Sequence, residues 1–194
     1  MSVKKWIVGT PNRDRAKILA EECGIDPFAA LVAVGRGIDD EGELELLISD
    51  EAILCDPMEL KDINVAADYI NDAIDNNVKI AIFGDYDCDG VVATALLYDY
   101  LKGRNVDVVA YIPDRMDEGY GMNCDAVDKL AKQNVKLIVT VDNGISCAKE
   151  IAYAKSLGIE TVVTDHHIPP QELPDAIAVV DPHQSDCPSS FKEI

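Results

Sequence analysis

Basic residues are scarce in this chain: 17 Lys and Arg stand against 36 Asp and Glu in 194 residues, a formal charge of −19. Phosphate affinity rests on clustered Lys and Arg, so this balance argues against a bare nucleic-acid-binding module. Paired cysteines are missing as well. Cys23, Cys55, Cys88, Cys124, Cys147 and Cys187 include no Cys-x-x-Cys pair, which removes the commonest zinc and redox motifs. No basic-then-apolar segment follows Met1, and apolar runs such as Leu137–Val141 fall far short of the ~20 residues of a membrane span. The expectation is a soluble, cytoplasmic protein with free thiols and no membrane contact. Internal repeats and low-complexity segments are also absent.

What is present is ordinary globular composition. Hydrophobic residues make up 48% and charged residues 27%, with mean hydropathy of zero, which excludes wholesale disorder and supports a real core. From Val78 onward a short β-branched run, a turn and a helical stretch alternate, the signature of βα units around a parallel sheet. Strands are predicted at Val78–Gly84, Val106–Ile112, Val135–Val141, Ile159–Thr164 and Ala176–Val180. Helices are predicted at Gly90–Lys102, Cys124–Gln133 and Ser146–Ser156, where apolar residues recur every three or four positions. The strands are apolar enough to be buried on both faces. The predicted fold is therefore α/β: a doubly wound, mainly parallel five-stranded sheet with helices on both faces. Ahead of it lies a helical lead-in, with Arg13–Cys23 and Leu60–Asp75 reading as helices around a Gly- and acid-rich middle at 35–45. The domain expectation is a lead-in over 1–60 and a catalytic domain over 61–194.

In an open α/β sheet, ligands bind outside the carboxyl ends of the strands. Those positions hold Asp85-Tyr86-Asp87-Cys88-Asp89-Gly90 after the first strand and Asp142-Asn143-Gly144 after the third. Asp165-His166-His167 follows the fourth, and Asp181-Pro182-His183 the fifth. Three carboxylates within five residues repel one another unless a cation offsets them. Carboxylates with imidazoles and no thiolate suit Mn²⁺ or Mg²⁺. Two such ions ~3.5 to 4 Å apart would clamp a phosphoryl group, which is phosphoester hydrolysis chemistry.

These three motifs, in this order and on these strand ends, resemble the DHH phosphoesterase family. Ile112-Pro113-Asp114-Arg115 followed by Glu118-Gly119-Tyr120-Gly121, together with Arg36-Gly37-Ile38 in the lead-in, resembles its RecJ-like branch of 5′→3′ exonucleases. The resemblance implies Asp87, Asp89, Asp142 and His166 as metal ligands, with Asp85 a ligand or a close neighbour of one. It implies His167 as a second imidazole near metal or phosphate, and Arg115 facing substrate phosphate. Single-stranded DNA is the implied substrate, and a single-stranded-DNA-binding protein and a helicase are the implied partners. The branch also carries a later metal-binding Asp and a second, smaller domain, so the expectation is a C-terminally truncated catalytic fragment, weakly active or inactive alone. Two rivals stand beside this reading. One is a DHH hydrolase of short oligonucleotides, cyclic dinucleotides or pyrophosphate; the other is a catalytically silent DHH scaffold in a replication complex.

Each signal has a plainer alternative. Asp87 caps a helix in many acid-rich turns, Asn-Gly is first of all a turn, and Asp165 is either a helix cap or the acceptor that holds an imidazole. Arg115 has a surface pair with Asp114 or Asp117 as its alternative. Asp181 and His183 read as structural, and Cys88 and Cys147 as small apolar fillers. Tyr120 reads equally as a stacking platform or as loop packing.

Overall fold

A computed structural model describes residues 9–49, 56–116, 118–119 and 121–189. The chain divides into two compact units, Met1–Leu54 and Cys55–Ile194. The smaller holds α1 (Arg13–Cys23), α2 (Pro27–Gly35) and α3 (Glu41–Ile48). Each begins on an acceptor side chain: Asn12, Asp26 and Asp40 take backbone N–H groups of the first turn. Leu19, Ala33 and Leu44 bury together as its core. The α1 bounds are those predicted. Helices α2 and α3 take over both ends of the middle read as Gly- and acid-rich, because Asp26-Pro27 and Asp40 are helix-start signals that outweigh the glycines.

The larger unit is a five-stranded sheet in the order β2-β1-β3-β4-β5. Its strands are β1 (Ile80–Phe83), β2 (Val108–Tyr111), β3 (Leu137–Val141), β4 (Glu160–Thr164) and β5 (Ala178–Val180). Every pairing is parallel. Alternation along the strands sends successive side chains to opposite faces. On one face Ala81, Phe83, Ile138 and Val163 pack with Val127 and Leu130 of α6 (Cys124–Lys132) and Ile151 of α7 (Ala148–Ser156). On the other, Ile80, Ile82, Val139 and Val162 pack with Ala66 of α4 (Ile63–Asp75) and Leu101 of α5 (Cys88–Gly103). The sheet is doubly wound, as predicted.

The strands begin one or two residues later than their sequences suggest, and the helix ends explain it. Asn77, Asn105, Asn134 and Gly158 turn to φ of 55°, 62°, 62° and 73°. The next N–H groups, of Val78, Val106, Val135 and Ile159, then reach back to the carbonyls of Ala73, Leu101, Leu130 and Ala154 at 2.8, 3.1, 3.2 and 3.0 Å. These are Schellman closures, in which the apolar residue after the left-handed one seals the helix. The β-branched residues there finish helices before the ladder starts.

The winding direction reverses between β1 and β3, so the crevice beyond their carboxyl ends is the topological switch point. The chain therefore delivers 84–90 and 142–144 to the two lips of one crevice, with 165–167 beside them on β4.

Candidate metal centre

The β1 end is built by close approach. Gly90 lies directly on the backbone of Asp85, where an added Cβ would stand 2.8 Å from Asp85 N and O. Asp87 caps α5, its Oδ1 accepting the N–H of Gly90 at 3.1 Å, and Asp89 occupies the first turn. Carboxylates there meet the positive end of the helix dipole. Asp85 is buried at 1% exposure, and Asp89 is exposed.

On β3, Asp142 takes φ 60° and Gly144 takes φ 111°. An added Cβ at Gly144 would fall 2.5 Å from Thr140 Oγ1. Asn143, buried between them, donates through Nδ2 to the carbonyls of Phe83 at 3.1 Å and Val141 at 2.9 Å. It thereby ties the β3 turn to the end of β1, a positioning role hidden in the sequence behind the Asn-Gly turn signal.

At the end of β4, no helix follows Asp165 among the described residues, so it caps none. Its Oδ2 accepts the N–H of Ile145 at 2.9 Å. Its Oδ1 receives the backbone N–H groups of His166 at 2.8 Å and His167 at 3.1 Å, with His167 Nδ1 at 2.7 Å. A carboxylate only accepts, so His167 Nδ1 carries the proton in this contact and Nε2 is its other functional nitrogen.

Two groups result. One ligand atom each from Asp85, Asp87 and Asp142 lies within 4.8 Å of the others, and the same holds for Asp142, His166 and His167. Asp142 belongs to both. His166 Nε2 is 3.0 Å from Asp142 Oδ1 and 3.8 Å from Asp89 Oδ2, which brings Asp89 to the same place. Asp85 Oδ1 and Asp142 Oδ2 are buried without a hydrogen-bond partner. Two orphaned carboxylate oxygens among further acids and imidazoles fit a hard divalent cation.

Burial and mutual repulsion set the protonation of these groups. Burial, reinforced by Asp89 and Asp87, pushes the Asp142 carboxyl up to about 6. Burial also raises Asp85. Hydrogen bonding to Asp89 and to the Gly90 N–H holds Asp87 below its ordinary value. Desolvation opposes the charged form of His167, but the combined pull of Asp165, Asp142 and Asp85 outweighs it and its pKa is raised.

Other expected residues fall nearby or elsewhere. The Arg115 guanidinium lies over the Tyr86 ring, 5.3 Å from its centroid, between two acids of the β1 loop. Asp181 is fully buried, with Oδ1 accepting the His183 N–H at 2.7 Å, and neither residue joins the two groups. Cys147 is buried in the core as the small apolar filler expected, whereas Cys88 is exposed at the start of α5 and fills nothing, which corrects the reading for Cys88 alone. Asp117 and Tyr120 lie outside the described residues.

An apolar groove of about 580 Å³, floored by Leu60, Ile70, Leu97 and Val180, adjoins the centre, and Asp89, Asp142 and His166 form part of its wall. Among the described residues no helix is long and apolar enough to cross a membrane.

Comparison with known proteins places this geometry. The chain is 41% identical over its whole length to the single-stranded-DNA-specific exonuclease RecJ of Bacillus subtilis, covering 25% of that protein. It is 34% identical over 88% of its length to the RecJ of Salmonella typhimurium, covering 29% of it. Among solved structures it is similar to exonuclease RecJ bound to manganese, with TM-score 0.63 and 33% identity over 69% of this chain and 34% of that one. RecJ of Thermus thermophilus in complex with Mn²⁺ gives TM-score 0.62 and 28% identity over 94% of this chain and 25% of that one. The chain thus spans about a quarter to a third of the relatives it matches. The DHH family, N-terminal domain, matches residues 79–193, which take in the crevice and all three of its acidic motifs. More than half of the sequence falls inside that match, and this chain belongs to the DHH family.

Proposed function

We propose that this chain is the metal-binding lobe of a 5′→3′ single-stranded-DNA exonuclease that hydrolyses phosphodiester bonds. The observation that supports it most is the pair of ligand groups meeting at Asp142 in the switch-point crevice. Asp85, Asp87, Asp89, Asp142 and His166 would hold Mn²⁺ or Mg²⁺. When bound, such cations supply Lewis-acid charge beside a phosphoryl group and lower the pKa of water.

The remaining work belongs to the chain itself. Asp165 fixes the tautomer and orientation of His167 through Nδ1, which leaves Nε2 for a metal or a phosphoryl oxygen. Arg115, held over Tyr86, offsets negative charge on a phosphate entering from the β2 side. Within this reading residues 61–194 form the catalytic lobe and 1–60 its lead-in. The cytoplasm is its compartment, and a single-stranded-DNA-binding protein and a helicase are its partners.

The test sets a 3′-labelled single-stranded oligonucleotide beside pyrophosphate, each with Mn²⁺ and the protein at its full encoded length. Stepwise shortening of the oligonucleotide is expected. Pyrophosphate turnover with the strand left intact would overturn the proposal in favour of a small-phosphoanhydride hydrolase, and no turnover of either would favour a silent scaffold.

A further inference from the structure

The segment carrying Arg115 is clamped by Glu118, a carboxylate outside both ligand groups. Glu118 Oε1 accepts the Tyr111 hydroxyl at 2.6 Å and pairs with Lys129 Nζ, which itself donates to the Tyr111 oxygen at 2.9 Å. Its other oxygen accepts the backbone N–H of Asp114 at 3.0 Å. Glu118 and Gly119 in turn send their N–H groups to the Asp114 carbonyl at 2.9 and 3.2 Å, and Met116 N–H bonds Asp114 Oδ1 at 2.8 Å. Arg115 sits inside this closed turn.

The clamp is indexed to the site. Tyr111, the last residue of β2, stacks on Phe83, the last residue of β1, with centroids 5.1 Å apart and planes at 22°. Phe83 leads directly into Gly84 and Asp85. At the other end Arg115 rests on Tyr86. The path therefore leaves β1 at Phe83, crosses to Tyr111, passes through Glu118 to Arg115 and returns to the acidic loop.

We propose that Glu118, gripped by Tyr111 and Lys129, is a positioning residue that fixes Arg115 for contact with a substrate phosphate at the acidic centre. This rests on the phosphodiesterase reading above. The ion pair is exposed at its Lys129 end and adds little to stability by charge alone, whereas one half-buried carboxylate with three partners in a short turn specifies position. Lys129 first and Tyr111 second hold the Glu118 carboxyl down at about 2, so the clamp is charged at neutral pH. A misplacement of about 1 Å in a positioning element costs up to about 100-fold in rate.

A double-mutant cycle tests it in the protein at its full encoded length, with kcat and KM on a single-stranded oligonucleotide, Mn²⁺ affinity and melting temperature measured together. Glu118→Gln and Lys129→Met are each expected to lower kcat/KM about tenfold with Mn²⁺ affinity unchanged. In an Arg115→Ala background each should change kcat/KM less than about twofold. Lys129→Arg should recover most of the loss. If Glu118→Gln fails to fold, Lys129→Met on an exposed side chain completes the cycle alone. Effects that multiply independently with Arg115→Ala, or that track melting temperature alone, overturn the inference while leaving the proposed function standing. A wild type that leaves the oligonucleotide intact overturns the function, and the inference with it.

Discussion

His166 Nε2 lies 3.0 Å from Asp142 Oδ1, although the two residues are 24 apart in sequence. Register explains the meeting: Val141 pairs with Thr164 at the ends of β3 and β4, so the residues that follow both strands emerge side by side. At this distance the imidazole Nε2–H donates to the carboxylate Oδ1, and a cation taking the place of that proton would find one nitrogen and one oxygen as ligands.

Asp142 is shared by two groups, one with His166 and one with Asp87, so removing a ligand from either group should lower cation affinity. His166→Ala and Asp87→Ala are each expected to weaken Mn²⁺ binding about 100-fold, at the upper end of what even supporting residues of a metal site cost. Titration calorimetry on purified chain reads this directly, and equal dissociation constants for wild type and both variants would remove the metal centre from this crevice.

Asp142 also gives the fold a pH signature. Its carboxyl is raised from 3.8 to about 6, by burial first and then by Asp89 and Asp87, so between those values the folded chain binds more protons than the unfolded one. Stability of the metal-free chain then falls as pH rises through that window. Asp142→Asn, which keeps the neutral form, should gain about 2 kcal/mol on wild type between pH ~4 and ~7.5. Denaturant unfolding in the presence of a chelator checks it; a difference that does not change with pH would refute the assignment. Added Mn²⁺ should reverse the ranking at neutral pH.

The packing of α5 on the β1 loop predicts a steric effect. Gly90→Ala places a methyl group 2.7 to 2.8 Å from Asp85 and should cost about 1 to 3 kcal/mol, since no side-chain rotation relieves contact with backbone. Gly103→Ala, at the far end of the same helix with nothing within 4 Å, should be neutral or stabilising by about 0.5 kcal/mol. Equal midpoints for the two variants in urea would contradict the close approach.

Asp165 holds His167 by charge as well as by geometry. Asp165→Asn removes one acceptor from a carboxylate that serves four N–H groups, at a cost of about 1 to 3 kcal/mol. The His167 pKa should fall, because the pull that raises it comes first from that carboxylate. Proton NMR titration of the histidines measures the shift, and an unchanged His167 midpoint would separate the two residues.

Much of this architecture was legible in residue order. β-branched runs at near-regular spacing mark all five strands, and the rule for strand carboxyl ends points to Asp85, Asp87, Asp89, Asp142, Asp165, His166, His167, Asp181 and His183 alike; it is the family resemblance that singles out Asp87, Asp89, Asp142 and His166 as ligands, with Asp85 a ligand or a close neighbour of one. Two things were hidden. Val78, Val106, Val135 and Ile159 have the same local chemistry whether they open a strand or seal a helix, and only the left-handed residue before them decides. The parts played by Asn143 and Glu118 depend on partners 60 and 11 residues away, distances over which one sequence carries no periodicity to read.

Strand order carries a last consequence. The side chains that converge in the crevice come from β1, β3 and β4, the three interior strands, whereas the turn bearing Arg115 hangs from β2, at the margin. An interior strand is hydrogen-bonded on both sides, so its end cannot drift without dragging two neighbours. A marginal strand has one neighbour and can lengthen, tilt or accept insertions while the rest stays put. Descendants of such a sheet can change what they grip by remodelling the border while the chemistry in the middle passes on untouched.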